Sequence, residues 1–267
     1  MLATLSLSKV SAEVIVLPSD LDYGLYVRDG DTMIINEGTT HNEWVNAQDA
    51  TIIMNGGYVA DIGGWGDSTV TINGGTVGWG GAGASDGSTL NVNGGIFTSF
   101  IIGRSGSTVN FNGGEVNWAL MAYGGSTFNI SGGGFSVDNH RSLFTSSTSH
   151  INFYAAEALA DVQVGAFAAG ESLLGQTFQA SDFPLLPLRD SGFYQSVGAA
   201  LTITFGDGNS EVFNLEEAPP TVGLWPSEPR WEGTISFIQV PEPAAYTSIL
   251  GVCMLLLAVV RHRRHRR

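Results

Sequence analysis

The chain of 267 residues carries a net charge of -14, with 25 Asp and Glu against 11 Lys and Arg, and holds a single cysteine, Cys253. Five of those cations are arginines in the last seven positions, so the body lacks the clustered Lys and Arg that phosphate neutralisation requires, and no nucleic-acid partner is expected. Cys253 lies in an apolar tail, which leaves packing and backbone pairing, not disulfides, to hold the remainder in one large or two small domains.

Residues 1–12 read as a signal-peptide remnant: Leu2 to Leu7 is mildly apolar and Val10-Ser11-Ala12 offers a small-residue end, with a mature start near Glu13. No basic region precedes it, and the alternative is that residues 1–17 form the first strand of the body. Residues 13–30 are expected to form an N-terminal cap.

From 31 to 154 the chain repeats. Aligned on Asn36, Asn55, Asn73, Asn93, Asn112 and Ser131, the spacings are 19, 18, 20, 19 and 19. Four places earlier stands a threonine in every unit: Thr32, Thr51, Thr69, Thr89, Thr108 and Thr127. Three places earlier and one place earlier the residues are always apolar, as in Val70 and Ile72 or Val109 and Phe111. Two glycines follow the anchor in units two to six, whereas the first unit has Glu37-Gly38. A seventh unit, Ser149 to Tyr154, puts His150 at the threonine position and Tyr154 at the anchor.

The unit T-Φ-x-Φ-N-G-G predicts a short strand with one buried face, then a turn that uses glycine at φ > 0, then a second strand, as in Phe97 to Ile102 and Val116 to Ala122. Hairpins closed at each Asn-Gly are the rival reading. A constant period with equivalent positions favours coils stacked in parallel at about 4.8 Å, with threonine and asparagine each forming an axial column. Six such coils span roughly 30 Å, and both ends need caps.

Residues 155–239 lose the repeat. Ala155 to Ala169 is alanine-rich and reads as a short helix or capping turns. Leu201 to Phe205, Gly206 to Asn209 and Glu211 to Leu215 predict strand, turn, strand, and Thr234 to Ile238 a last strand. This segment is expected to be a small β-rich module.

Residues 240–267 hold three parts in order: Val240-Pro241-Glu242-Pro243, an uncharged apolar run from Ala244 to Val260, and a basic cluster of Arg261, Arg263, Arg264, Arg266 and Arg267. Seventeen residues as a helix reach roughly 25 Å, near the lower limit for a membrane span, and the arginines belong on the cytoplasmic side. The arrangement resembles the PEP-CTERM sorting signal of exported bacterial proteins. That resemblance implies a membrane protease of the exosortase type that recognises Pro241-Glu242-Pro243 and removes the anchor. A plain single-pass anchor is the alternative. The repeats also resemble the autotransporter-like, glycine-rich repeats of bacterial surface proteins.

Candidate chemistry is sparse. Between Glu13 and Gln239 there are five arginines, no lysine and three histidines. Asp138-Asn139-His140-Arg141 is the densest cluster, read as a polar loop, and His41 with Glu43 beside Trp44 is a weaker one. His150 is expected in a ladder position. Asp61, Asp67 and Asp86 do not share one register, and Asp207-Gly208-Asn209 lacks the rest of a calcium loop. The glycine-rich Gly78 to Gly87 stretch is followed by no Gly-Lys-Ser/Thr. Trp79 and Trp118 both lie six places after their anchors and are read as wedges in the solenoid core, with sugar-stacking platforms as the alternative; Trp44 and Trp65 fall at other registers.

The sequence therefore predicts an all-β parallel β-solenoid of six to seven coils, a β-rich module and one C-terminal transmembrane helix. No catalytic, cofactor-binding or metal-ligating set is predicted, so the chain is expected not to be an enzyme. The expected role is an exported structural or binding protein, anchored in the cytoplasmic membrane before processing and then at the cell surface or in the extracellular matrix. The expected partners are the exosortase-type protease, the membrane and extracellular polysaccharide. The alternative is a carbohydrate-binding protein or polysaccharide-degrading enzyme on a β-helix scaffold.

Overall fold

Thr32, Thr51, Thr69, Thr89, Thr108 and Thr127 lie opposite one another in unbroken parallel register. They do so in a computed structural model that describes residues 14–17, 23–135, 142–146, 148–179, 182–183, 197–216 and 233–240. The strands they open are β3 (Thr32–Ile35), β5 (Thr51–Met54), β7 (Thr69–Ile72), β9 (Thr89–Val92), β12 (Thr108–Phe111) and β15 (Thr127–Ile130). Beneath them β1 (Val14–Val16) pairs with β3, and above them β18 (His150–Ala160) pairs with β15, both parallel. The chain is a parallel β-solenoid of about seven turns over residues 14–153, and no hairpin closes at an Asn-Gly pair within the array.

Each turn has three faces. The β3 series is the first. The second is Thr40-His41 of β4 (Thr40–Gln48), Tyr58-Val59 of β6 (Tyr58–Trp65), Thr76-Val77 of β8 (Thr76–Ala84), and then β10 (Ile96–Phe97), β13 (Glu115–Val116) and β16 (Gly134–Phe135). The third begins with β2 (Leu25–Arg28), continues along the C-terminal halves of β4, β6 and β8, and ends in β11 (Ile101–Gly103), β14 (Ala119–Ala122) and β17 (Ser142–Thr145). In β4 and β6 a register shift bends one strand around the corner, between His41 and Trp44 and between Val59 and Asp61. Later coils break the strand there, so the second strand expected over Phe97 to Ile102 is two strands.

The two glycines of the repeat do different work. The second, such as Gly57, Gly95 or Gly114, has φ of 82°, 103° and 102°, which L side chains adopt only at a cost. The first does not. A Cβ on Gly94, Gly113 or Gly132 would instead stand 2.8, 2.6 and 2.5 Å from the carbonyl oxygen of the anchor asparagine one coil below. A second left-handed turn joins the third face to the next coil, through Asp29, Asp49, Gly66, Asp86, Ser105 and Gly124.

Apolar columns fill the interior, among them Met54, Ile72, Val92, Phe111, Ile130 and Phe153, all with no exposed surface. Three polar ladders flank them. Asn55 donates its amide to Asn36 Oδ1 (3.2 Å), Asn73 to Asn55 (3.0 Å), Asn93 to Asn73 (2.9 Å) and Asn112 to Asn93 (3.1 Å), and the Ser131 hydroxyl closes the column on Asn112 (2.8 Å). A second column runs Asn152 to Asn129, Asn129 to Asn110 and Asn110 to Asn91, at 3.0, 2.9 and 2.8 Å. A third consists of buried serines just before the threonines and His150, namely Ser68, Ser88, Ser107, Ser126 and Ser149; Ser88 and Ser107 donate to the carbonyls of Gly64 and Ala84.

At the C-terminal end the module shares the solenoid's sheet. Ala155 to Ala160 is the continuation of β18, not a helix; it pairs antiparallel with β20 (Val197–Phe205), which turns at Gly208 into β21 (Ser210–Glu216). An alternation of buried and part-buried residues in that alanine run suits a strand with one face inward. β21 pairs with β17, and β19 (Thr177–Gln179) lies antiparallel to β22 (Thr234–Gln239). Counted from β3, β22 is an eighth rung of the first face, with Thr234 opposite His150 and Phe237 opposite Phe153. Phe153, Phe213 and Phe237 then plug the end of the core, with Phe153 stacked on Phe237 at 5.7 Å. Among the described residues no helix is long and apolar enough to cross a membrane, and residues 241–267 lie outside them.

Candidate functional site

On the third face successive side chains alternate inward and outward, and one outward column reads Asn46, Gly63, Gly83, Ile102, Met121, Phe144. Two adjacent rungs without side chains leave a cleft of about 250 Å³ in an otherwise covered face. The neighbours lean toward the gap: a Cβ on Gly63 would be 2.7 Å from Asn46 Oδ1, and one on Gly83 would be 3.3 Å from Ile102 Cγ2.

The flanking columns form the walls. On one side Trp44, Asp61, Gly81 and Phe100 follow one another up the axis. Gly80 and Gly81 make room for both neighbours: a Cβ on Gly80 would sit 2.5 Å from Asp61 Oδ2, and one on Gly81, at φ 80°, would sit 2.5 Å from the Phe100 carbonyl oxygen. On the other side lie Trp65, Ser85 and Arg104. Tyr26 fixes the two tryptophans, meeting Trp44 edge to face at 4.5 Å and Trp65 at 5.7 Å, while Phe100 meets Trp118 at 5.7 Å. Asp61 is half-buried, and burial pushes its carboxyl up to about 6. Among the described residues no donor bonds that carboxylate. Partial burial lowers the Arg104 guanidinium, with the charge of Tyr123 opposing.

Of the residues singled out by sequence, Asp61 and Trp65 line the cleft and Trp44 stands in the column of Asp61, while the rest fall elsewhere. His41 is fully buried on the second face, in the column of Val59, with both ring nitrogens unpartnered among the described residues. Glu43 falls in the register shift after it. His150 stands in the threonine register and bonds the Thr234 hydroxyl. Asp86 shares the left-handed turn with Asp49, whereas the Asp67 N–H donates to Asp49 Oδ1 at 2.9 Å. No group of three His, Cys, Asp or Glu among the described residues could hold a metal. Asp138, Asn139, His140 and Arg141, like Pro241, Glu242, Pro243 and the arginines from Arg261 to Arg267, lie outside the described residues.

The core-wedge reading of Trp79 and Trp118 is corrected. Trp79 is 74% exposed, and Trp118 packs half-buried in an outer cluster with Phe100, Ile102, Met121 and Phe144. Both follow the second face at the corner, where the chain swings outward, while β-branched residues and phenylalanines already fill the interior columns. The cleft has no counterpart among the sequence expectations. Its signal lies in glycines outside the Asn-Gly-Gly register, at Gly63, Gly80, Gly81 and Gly83.

Compared with family models, curated proteins and solved structures, the chain matches none of them.

Proposed function

We propose that this chain is an exported β-solenoid of the cell surface or extracellular matrix whose body binds a ligand without transforming it, delivered by a C-terminal signal of the PEP-CTERM type. The sorting part is supported by the order of Pro241-Glu242-Pro243, the uncharged run 244–260 and the arginine cluster. Residues 244–260 insert as a helix in the cytoplasmic membrane, Arg261 to Arg267 stay inside, and an exosortase-type protease reaches the extended Pro241-Glu242-Pro243 segment just outside.

The binding role rests on the cleft. Cleavage of a glycosidic bond by paired carboxylates needs a second carboxyl about 5–9.5 Å from the first. Among the described residues Asp61 is the only carboxylate lining the cleft. A polysaccharide-degrading enzyme is the competing reading, favoured by the raised proton affinity of Asp61 in a cleft that also holds Arg104. Incubating the purified full chain with neutral and acidic polysaccharides decides between them. No new reducing ends or unsaturated products are expected; products that disappear in Asp61→Asn would overturn the binding reading.

A further inference from the structure

The geometry points to a neutral saccharide, one pyranose unit of a glycan chain, seated in the Gly63–Gly83 cleft with Asp61 accepting hydrogen bonds from its hydroxyls. This rests on the binding role proposed above and names its site and ligand class.

Four observations converge. Asn46 and Ile102 stand three rungs apart, about 14 Å along the axis, and the two rungs between them carry no side chain of their own, so a ring can enter over Gly83, between the Asn46 amide that reaches over Gly63 and the Ile102 side chain. Trp65 and Phe100 line the cleft and offer aromatic surface to the apolar face of a sugar ring. Asp61 presents an acceptor-only group with no donor among the described residues, and ligand hydroxyls supply the missing donors. Asn46 adds an amide that both donates and accepts.

Charge selects among ligands. Asp61 and a chain of net charge -14 disfavour an anion, and Arg104 in the same cleft disfavours a cation. A hydroxylated, uncharged ligand is opposed by neither.

The test uses the full chain in detergent, with cellohexaose, mannohexaose and laminarihexaose as probes and polygalacturonate and choline as charged controls. Binding is followed by calorimetry and by tryptophan emission. Asp61→Asn keeps the shape of the site, and Gly83→Leu fills its floor at a backbone conformation that any residue adopts; circular dichroism checks that both fold. At least one neutral hexaose should bind saturably, and both variants should weaken it about tenfold or more, as loss of a hydrogen bond to a charged group implies. The controls should stay silent. Binding by the controls instead, binding unchanged in both folded variants, or no binding by any neutral hexaose overturns the proposal. Slow cleavage of the bound hexaose would uphold the site and sink only the non-enzymatic reading.

Discussion

Asn93 donates its side-chain amide to Asn73 Oδ1 at 2.9 Å, and in turn accepts from Asn112 at 3.1 Å, so one side chain ties three successive coils together. A single substitution there breaks two axial bonds. Asn93→Ala should destabilise the body by about 1 kcal/mol, the low end for two hydrogen bonds, because the column is exposed to water. Denaturant melts followed by far-ultraviolet dichroism would check this. A loss beyond about 3 kcal/mol, or none, would show that the ladder is not a sum of local bonds.

The two kinds of glycine should separate in an alanine scan. Gly106 has φ 74° and open space around it, so Gly106→Ala should cost only the left-handed backbone, about 1–2 kcal/mol. At Gly113 the φ is permissive, but a Cβ meets the Asn93 carbonyl at 2.6 Å. The coils must part to admit it, so Gly113→Ala should cost more than Gly106→Ala in the same denaturant melts.

His41 is a liability in its column. A fully buried imidazole whose two nitrogens find no partner among the described residues costs about 1–3 kcal/mol relative to a hydrocarbon of similar shape. His41→Val, which copies the residue one coil above, should raise the thermal midpoint. A lower midpoint would mean that the ring has a polar partner after all.

Asp61 should make stability depend on pH. Its carboxyl titrates near 6 in the folded chain against 3.8 as the ordinary value. On raising the pH the unfolded chain therefore ionises first, and stability falls between about 4 and 6, then levels off. The full drop is at most about 3 kcal/mol, less what solvent screens. Among the described residues Arg104 is the only other charged group lining the cleft, and it stays charged throughout this window. Asp61→Asn should flatten the profile and leave the protein more stable at neutral pH, while weakening saccharide binding. A profile equally steep in the variant would place the titration elsewhere.

Mature protein from the native host should end before Ala244 and lack the arginine cluster, as read by mass spectrometry of C-terminal peptides. Substituting Pro241-Glu242-Pro243 by alanines should leave the tail attached. Intact C-terminal peptides in the mature wild-type protein would favour a plain anchor.

The array is legible in the sequence because stacking makes every coil solve the same steric problem. Thr at the strand start, apolar residues at alternate places and glycine at the turn recur visibly from unit to unit. What escapes is written at positions that vary. The middle residue of T-Φ-x-Φ changes from Ile53 through Thr71 to Asn91, so the second asparagine ladder, which begins only at Asn91, does not stand out as a column. The eighth rung repeats the pattern as Thr234-Ile235-Ser236-Phe237, yet a long stretch of unrelated sequence separates it from the seventh, which hides the match. The cleft escapes because it is made of missing side chains. Gly63 and Gly83 resemble any other glycine until the register shift after Val59 is known, and only then do they face outward on adjacent rungs.

β22 is joined to β18 along six residues, from Thr234 opposite His150 to Gln239 opposite Ala155, with strands parallel. The chain leaves this strand at Val240, whose N–H still bonds the Ala155 carbonyl at 2.9 Å. Any tug transmitted along the strand through that point meets the rung in shear, where all its hydrogen bonds must yield together, not one by one as in a peeled hairpin. The body thus carries a mechanical clamp at the place where its tail is attached.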